Sequence, residues 1–214
     1  MIVPSANTIV LFMLSALALN LSPGPSILFI LSRCLAQGRR AGVVSAFGLA
    51  TASVIQAVAA AYGLATLFLY SALAFGIVRY CGAAYLIYLG VSGLLAGGLA
   101  GSTAARARKA PVSLAKIYWQ ALAADLLNPK LLLFFFAFLP QFVDPAAGDP
   151  QAQMLVLGLL FQVTGLPTNL AVAFAGGSLA HLLARSPAWA RLQSWLSGAV
   201  LIGLGLKLAF TERR

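Results

Sequence analysis

Long apolar runs separated by short basic segments dominate this chain and limit the folds open to it. The charged residues cluster between the runs, at residues 33–40, 106–116, 185–191 and 212–214. Hydrophobic residues make up 61% of the chain and charged residues only 8%, whereas soluble domains are about a quarter charged. So few polar groups cannot cover the surface of a soluble fold of 214 residues. Most of this surface is therefore expected to face lipid.

Six apolar runs reach the length of about 20 residues that a helix needs to cross a bilayer. No basic residue precedes Arg33, so the first run lacks the positive start of a signal peptide and is expected to be a retained membrane helix. The prediction is an all-α, polytopic membrane protein that forms one transmembrane domain over residues 1–214. Its six helices are predicted at residues 8–31, 42–70, 73–95, 117–142, 154–183 and 189–210.

The distribution of Lys and Arg predicts the orientation. The loops after the first, third and fifth helices are basic, and those after the second and fourth carry no Lys or Arg. Because cytoplasmic loops hold the excess of Lys and Arg, the N-terminus is predicted to lie outside. The basic tail at Arg213 and Arg214 disagrees, but three loops outweigh it. The net charge of +10 also raises nucleic-acid binding, yet no polar segment carries a basic stripe with interleaved aromatics, so lipid is the expected partner.

The two halves of the chain resemble each other. Residues 25–29 are similar to residues 129–134, and residues 81–90 are similar to residues 197–205. Since each half has three helices, the halves would cross the membrane in opposite senses, as in transporters with inverted repeats. The prediction is a first repeat at 1–99, a cytoplasmic linker at 100–112 and a second repeat at 113–214. Chance similarity between apolar segments is the alternative.

Two prolines around a glycine interrupt the first predicted helix near its middle. The candidate substrate-binding residues of this segment are Ser22, Pro23, Gly24, Pro25 and Ser26. Each proline removes a helical hydrogen bond, so the carbonyls of Leu19 and Leu21 should be freed and should favour a substrate ammonium. The amides of Ser26, Ile27 and Leu28 begin a new half-helix, lack intrahelical acceptors and should favour a carboxylate.

The fourth predicted helix has a second break at Asn128 and Pro129, which are further candidate substrate-binding residues. Pro129 should free the carbonyl of Asp125. Polar and charged residues are costly inside a membrane, so Asp125, Asn128 and Lys130 are expected to face the protein interior. Asp125 is the candidate proton-coupling group. The alternative is a structural ion pair between Asp125 and Lys130.

Other polar residues within the apolar runs offer weaker signals. Asn169 is a candidate substrate-binding residue and Gln56 a supporting group, although single amides often only tie membrane helices together. Cys34, Cys81 and His181 show no metal-ligand spacing, so neither a metal nor a cofactor is expected. Seven glycines are predicted to mark close helix packing: Gly42, Gly48, Gly63, Gly82, Gly90, Gly198 and Gly205.

Several motifs in order resemble the LysE/RhtB amino-acid exporter family over nearly the whole chain. They lie at residues 21–25, 32–33, 38–42, 82–90, 127–130 and 138–142. The resemblance implies a six-helix bacterial inner-membrane protein that exports amino acids or their derivatives, driven by the proton gradient. Two positions depart from the family pattern. Ser26 stands where Asn is common, and Asp125 stands where a neutral residue is more frequent, so the substrate is not carried over.

The resulting hypothesis is a proton-coupled secondary exporter that works by alternating access, with amino acid and protons as its small-molecule partners. Export of another solute or a cation, or a non-transporting scaffold or sensor, remains an alternative. An enzyme is not expected, because the acids Asp125, Asp144, Asp149 and Glu212 form no paired-carboxylate motif and no Ser–His–acid set. The sequence leaves a homodimer open.

Overall fold

The computed structural model describes residues 4–22, 24–70, 72–95, 112–185 and 187–210, and these residues form helices and turns without a strand. The α-helices are α1 (Ala6–Leu21), α2 (Pro25–Gln37), α3 (Arg39–Tyr70), α4 (Ala72–Leu95), α5 (Leu114–Leu126), α6 (Pro129–Leu133), α7 (Pro150–Arg185) and α8 (Pro187–Phe210). Between α6 and α7 lie a π-helical turn, Phe134–Phe138, and two 3₁₀ turns, Leu139–Phe142 and Pro145–Ala147. Pro23, residues 100–111 of the predicted linker, the tail at 211–214 and the side chain of His181 lie outside the described residues.

The two predicted helix breaks are confirmed. α1 and α2 meet at a 46° bend, and the helical segments that flank Pro129 meet at a 50° bend. In each case a proline is the first residue of the new helix, Pro25 in α2 and Pro129 in α6. A proline is tolerated at that position because the amide it lacks has no intrahelical partner there. The same proline cannot continue the preceding helix, which is why both predicted segments divide.

The first predicted segment runs further than expected. α2 continues to Gln37, six residues beyond the predicted end, and the predicted basic loop at 37–40 shrinks to Gly38. Gly38 has a φ of 82°, a left-handed conformation that favours glycine and ends the helix. Arg39 and Arg40 already belong to α3. The helix therefore ends where the backbone must reverse and not where the apolar residues stop.

The lengths and surfaces of the helices are those of a multi-pass membrane protein. Within the described residues, 39–63 and 150–176 are long and apolar enough to cross a membrane, and each bent pair adds a span if it is counted as one. Residues 80–92 and 201–210 are shorter apolar helical stretches. Large apolar side chains face outward, with Val10, Leu11 and Leu14 each more than half exposed. Such a surface is stable in lipid and not in water.

Buried aromatic side chains form the centre of the fold. Phe12 of α1 packs against Phe134 and Phe142, with ring centroids 5.8 Å and 5.3 Å away. Phe161 of α7 lies 5.0 Å from both Phe134 and Phe135. The π-helical turn after α6 thus carries rings that hold α1 and α7 against the second helix break.

Close contacts at glycine confirm the packing prediction at six of the seven positions. The most extensive helix contacts join α4 with α8, α3 with α7, and α3 with α5. A side chain at Gly48 would lie 2.5 Å from the carbonyl oxygen of Tyr118, and one at Gly90 would lie 2.7 Å from that of Gly198. At Gly63 a Cβ atom would meet none of the described atoms within 4 Å, so the structure gives the packing prediction no support there.

The α4–α8 contact predicts the effect of one added methyl group. In Gly205→Ala the new Cβ would lie 2.9 Å from the carbonyl oxygen of Ala83 and 2.8 Å from Ile87 Cγ1. Overpacking of this kind costs about 1–3 kcal/mol, so the variant should lose its monodisperse gel-filtration peak at a lower temperature than the parent protein. Gly203→Ala is the matched control, because its Cβ meets no atom of the described residues within 4 Å. Equal melting of the two variants would contradict the contact.

Candidate functional site

The two helix breaks meet around the carboxylate of Asp125, whose residue is only 2% exposed. Its Oδ1 atom accepts a hydrogen bond of 2.6 Å from Ser26 Oγ and one of 3.3 Å from Asn128 Nδ2. Its Oδ2 atom accepts a longer bond of 3.5 Å from Ser53 Oγ of α3. The acid predicted to face the interior therefore lies against the start of α2, the half-helix that follows the first break.

The ammonium group of Lys130 lies at the other side of the first break. Lys130 is 8% exposed, and its Nζ donates to the carbonyl oxygens of Leu19 at 2.9 Å and Ser22 at 2.7 Å. Leu19 is the residue whose carbonyl Pro23 was predicted to free. That carbonyl does bind an ammonium, but the ammonium belongs to the protein itself.

The structure corrects one detail of the predicted chemistry. The amide of Leu28 is not free, because it donates to the carbonyl oxygen of Gly24 at 3.0 Å and closes the first turn of α2. The two charges that the ion-pair alternative would join both have hydrogen-bond partners at the first break. Lys130 Nζ donates to the carbonyls of Leu19 and Ser22, and the Asp125 carboxylate accepts from Ser26.

Helix dipoles explain why the charges of Asp125 and Lys130, both at the second break, bind groups of the first break. Asp125 lies in the last turn of α5 and Lys130 in the first turn of α6. Each charge has the wrong sign for its own helix end, because helix N-termini favour anions and C-termini favour cations. The same carboxylate suits the start of α2, and the same ammonium suits the end of α1. The charges of the second break therefore complement the helix ends of the first.

Amide side chains complete the contact between the breaks. Asn128 caps α6 by accepting from the amide of Lys130 at 3.1 Å, and it donates to Ser26 Oγ at 3.0 Å. Gln56 of α3 donates to the carbonyl oxygens of Asp125 at 3.0 Å and Leu126 at 3.3 Å. The backbone carbonyl of Asp125, which Pro129 was predicted to free, thus accepts hydrogen bonds from the Gln56 side chain and from the backbone N–H of Asn128.

A small polar cavity of about 30 Å³ lies between these groups. Six of the predicted residues line it: Ser22, Gly24, Ser26, Asp125, Lys130 and Asn169. Asn128 touches the site through its hydrogen bonds, whereas Pro25 and Pro129 begin helices and do not line the cavity. The hydroxyl of Ser22 is buried and has no hydrogen-bond partner among the described residues.

Sequence reasoning missed several groups that line the cavity. The missed residues are Asn20, Ser53, Leu131, Phe161, Gln162 and Gly165, whereas Leu19 and Ile27 were expected to contribute backbone groups. Ser53 lies three residues before Gln56, and this spacing puts both side chains on one face of α3. Asn20 and Gln162 are isolated polar residues in apolar runs, a signal that also identified Asn169. Asn20 Nδ2 donates to Thr164 Oγ1 at 3.0 Å, and Gln162 Nε2 donates to Ala50 O at 2.9 Å.

Among the described residues, no three His, Cys, Asp or Glu side chains come together as a metal site would require. The polar groups converge instead on one anion, one cation and a set of neutral donors and acceptors. Fold and site together define a polytopic helical membrane protein whose interior site lies where two broken helices meet.

The chain belongs to the LysE type translocator family, whose family model matches residues 17–212. It is 29% identical to the leucine efflux protein of Salmonella typhimurium over 92% of each chain. It is 35% identical to the homoserine/homoserine lactone efflux protein of the same organism, over 87% of this chain and 82% of the relative. An uncharacterized membrane protein of Pseudomonas aeruginosa is 33% identical over 92% and 93% of the two chains. No solved structure matches this chain significantly.

The role of Asn128 at the break leads to a stability prediction. Asn128→Ala removes the cap of α6 and the hydrogen bonds to Ser26 and Asp125, so the free energy of unfolding should fall by about 1–2 kcal/mol. Thermal unfolding in detergent micelles, followed by tryptophan fluorescence, measures the change. Asn7→Ala is the control, because Asn7 is exposed in the first turn of α1. An unchanged midpoint for Asn128→Ala would remove Asn128 from the structural core of the site.

Proposed function

We propose that this chain is a secondary active exporter of amino acids or close derivatives in the bacterial inner membrane. The observation that carries the proposal is one buried cavity lined by both Asp125 and Lys130. A zwitterion presents one ammonium and one carboxylate, and this cavity offers one group of each opposite sign. Family membership supports transport, and two relatives are named as efflux proteins for leucine and for homoserine.

The proposed architecture has six membrane crossings in two inverted repeats. The helix contacts support it, because each proposed segment packs against its counterpart in the other repeat. The first break contacts the second through Ser26 and Asp125, α3 packs against α7, and α4 packs against α8. Such pairing is expected when a pseudo-two-fold axis lies in the membrane plane between the repeats.

The proposed orientation has the N-terminus outside and the basic loops in the cytoplasm. At the proposed cytoplasmic side, Gln37 at the end of α2 exchanges two hydrogen bonds with the backbone of Val112, of 2.7 Å and 3.1 Å. At the proposed outer side, the ring of Phe12 packs on that of Phe142. These contacts support the proposed sharing of faces, because they join segments that the Lys and Arg distribution assigns to the same face, and the choice of the cytoplasmic face rests on that distribution.

Transport by alternating access requires the site to open. A volume of about 30 Å³ accommodates about two water molecules, since one water occupies roughly 10–15 Å³ on this measure. An amino acid is several times larger. The helices around the breaks must therefore move apart on one side of the membrane to admit a substrate and on the other side to release it.

Efflux from cells tests the proposed function directly. Cells that express the chain are preloaded with dipeptides of each amino acid, and the release of free amino acid is measured with and without a protonophore. Faster release of one or a few amino acids than from vector-only cells, abolished by the protonophore, is the expected result. If no amino acid leaves faster while the protein is present in the membrane, the function is export of another solute or a non-transporting role.

We further propose that Asp125 carries the coupled proton. The charged and polar groups that face it are Lys130, Ser26, Ser53 and Asn128. Asp125→Asn preserves the shape of the side chain but removes the titratable group, so export should lose its dependence on external pH and its sensitivity to the protonophore.

Initial efflux rates between pH 5.5 and 8 measure that dependence. Asp149→Asn is the matched control, because Asp149 lies in an exposed turn and asparagine can replace its bond to the amide of Gln151. If Asp125→Asn exports with the pH profile of the parent protein, Asp125 is structural and the coupling group lies elsewhere. The homodimer that the sequence leaves open is not part of this proposal.

A further inference from the structure

The positions of the two ions bear on how a substrate would lie in the site. The backbone groups of the first break, taken without the side chains of the second, predict that the substrate carboxylate binds near Ser26. They also predict that the substrate ammonium binds the freed carbonyls. Both positions are already taken by side chains of the second break. Ser26 Oγ donates to the Asp125 carboxylate, and the carbonyls of Leu19 and Ser22 accept from Lys130.

A substrate carboxylate near Ser26 would therefore meet the carboxylate of Asp125. Like charges repel strongly inside a protein, where the effective dielectric constant is far below that of water. A substrate ammonium at the freed carbonyls would meet Lys130 in the same way. The arrangement predicted from the backbone alone is electrostatically unfavourable in the folded protein.

Both ions retain capacity for a further hydrogen bond. An ammonium has three N–H donors, and the structure gives partners to two of those of Lys130. A carboxylate has about four acceptor sites, and three donors reach that of Asp125, one of them at 3.5 Å. The buried, unpartnered hydroxyl of Ser22 lines the same cavity and offers one more polar contact.

Gly24 leaves the ammonium of Lys130 open on the side of the first break. A Cβ at Gly24 would lie 3.5 Å from both Nζ and Cδ of Lys130, which is ordinary contact distance. Gly24 lines the cavity and has no side chain, so this space beside the Lys130 ammonium is available to a ligand atom.

We propose that Lys130 binds the carboxylate of a zwitterionic substrate and that Asp125 binds its ammonium. This orientation of the substrate is the reverse of the one that the helix ends alone predict. The inference rests on the proposed amino-acid export. It identifies Lys130 and Asp125 as specificity-determining residues, each for one end of the substrate.

Three ligands that differ in one charged group separate the two orientations. L-Leucine carries both groups, L-leucinamide lacks the carboxylate, and 4-methylpentanoate lacks the ammonium. If the efflux assay selects another amino acid, the corresponding amide and deamino acid of that amino acid replace them. Binding is measured by isothermal titration with the purified full-length protein. Lys130→Gln and Asp125→Asn are compared with the parent, because both new side chains are neutral, Gln keeps N–H donors and Asn keeps a carbonyl acceptor.

Lys130→Gln should weaken binding of L-leucine by about tenfold or more, as expected for the loss of a charge-assisted hydrogen bond, but should leave binding of L-leucinamide nearly unchanged. Asp125→Asn should weaken binding of L-leucine similarly and should spare 4-methylpentanoate. A variant that still binds its insensitive ligand is folded, so each series contains its own control. The opposite pattern, in which Lys130→Gln spares 4-methylpentanoate, would overturn the proposed orientation.

The double variant Asp125→Asn with Lys130→Gln covers the case in which a single unpaired charge prevents folding. It removes both buried charges together, so no uncompensated ion remains. The three ligands should then bind with similar, weak affinity. If the double variant still prefers L-leucine over both analogues as strongly as the parent does, the two residues do not recognise the charged groups. If the parent protein binds and exports no amino acid, the proposed function fails, which is a distinct result.

Discussion

The charged hydrogen bonds between the two broken helices are the interaction on which the rest of this structure depends. Asp125 reaches the start of α2 and Lys130 reaches the end of α1, so each ion lies at a helix end of suitable polarity. Neither ion suits the end of its own helix. The breaks therefore stabilise each other, because each break supplies groups that would be costly to bury in the membrane alone.

This dependence limits what can change at the site. Removing one member of a buried set of charges leaves the other uncompensated and typically costs about 3–5 kcal/mol. Replacing Pro25 by a residue that continues the helix would instead withdraw the carbonyls and the helix start that the ions bind. The aromatic residues Phe12, Phe134 and Phe161 add a rigid support just beyond the second break. The prolines, ions and rings thus act as one unit.

The sequence predicted the positions of the helices and both breaks, because apolar length and proline position are local properties. It also identified the polar residues that must avoid lipid, Asp125, Asn128 and Lys130. It did not predict the partners of the ions, because Lys130 and Leu19 are far apart in the chain and meet only when the two breaks pack. The same reason explains why Ser53 and Gln162 were missed.

In the proposed inverted repeat, the scaffold is symmetric but its charges are not. When Pro25 is aligned with Pro129, Leu21 corresponds to Asp125 and Ser26 corresponds to Lys130, so both ions belong to the second repeat. Their backbone partners Leu19 and Ser22 belong to the first. Any rocking of one repeat against the other must therefore stretch the bonds that join ions to helix ends. A zwitterion bound between them can replace those bonds as they lengthen, and this exchange would make movement of the repeats depend on the presence of substrate.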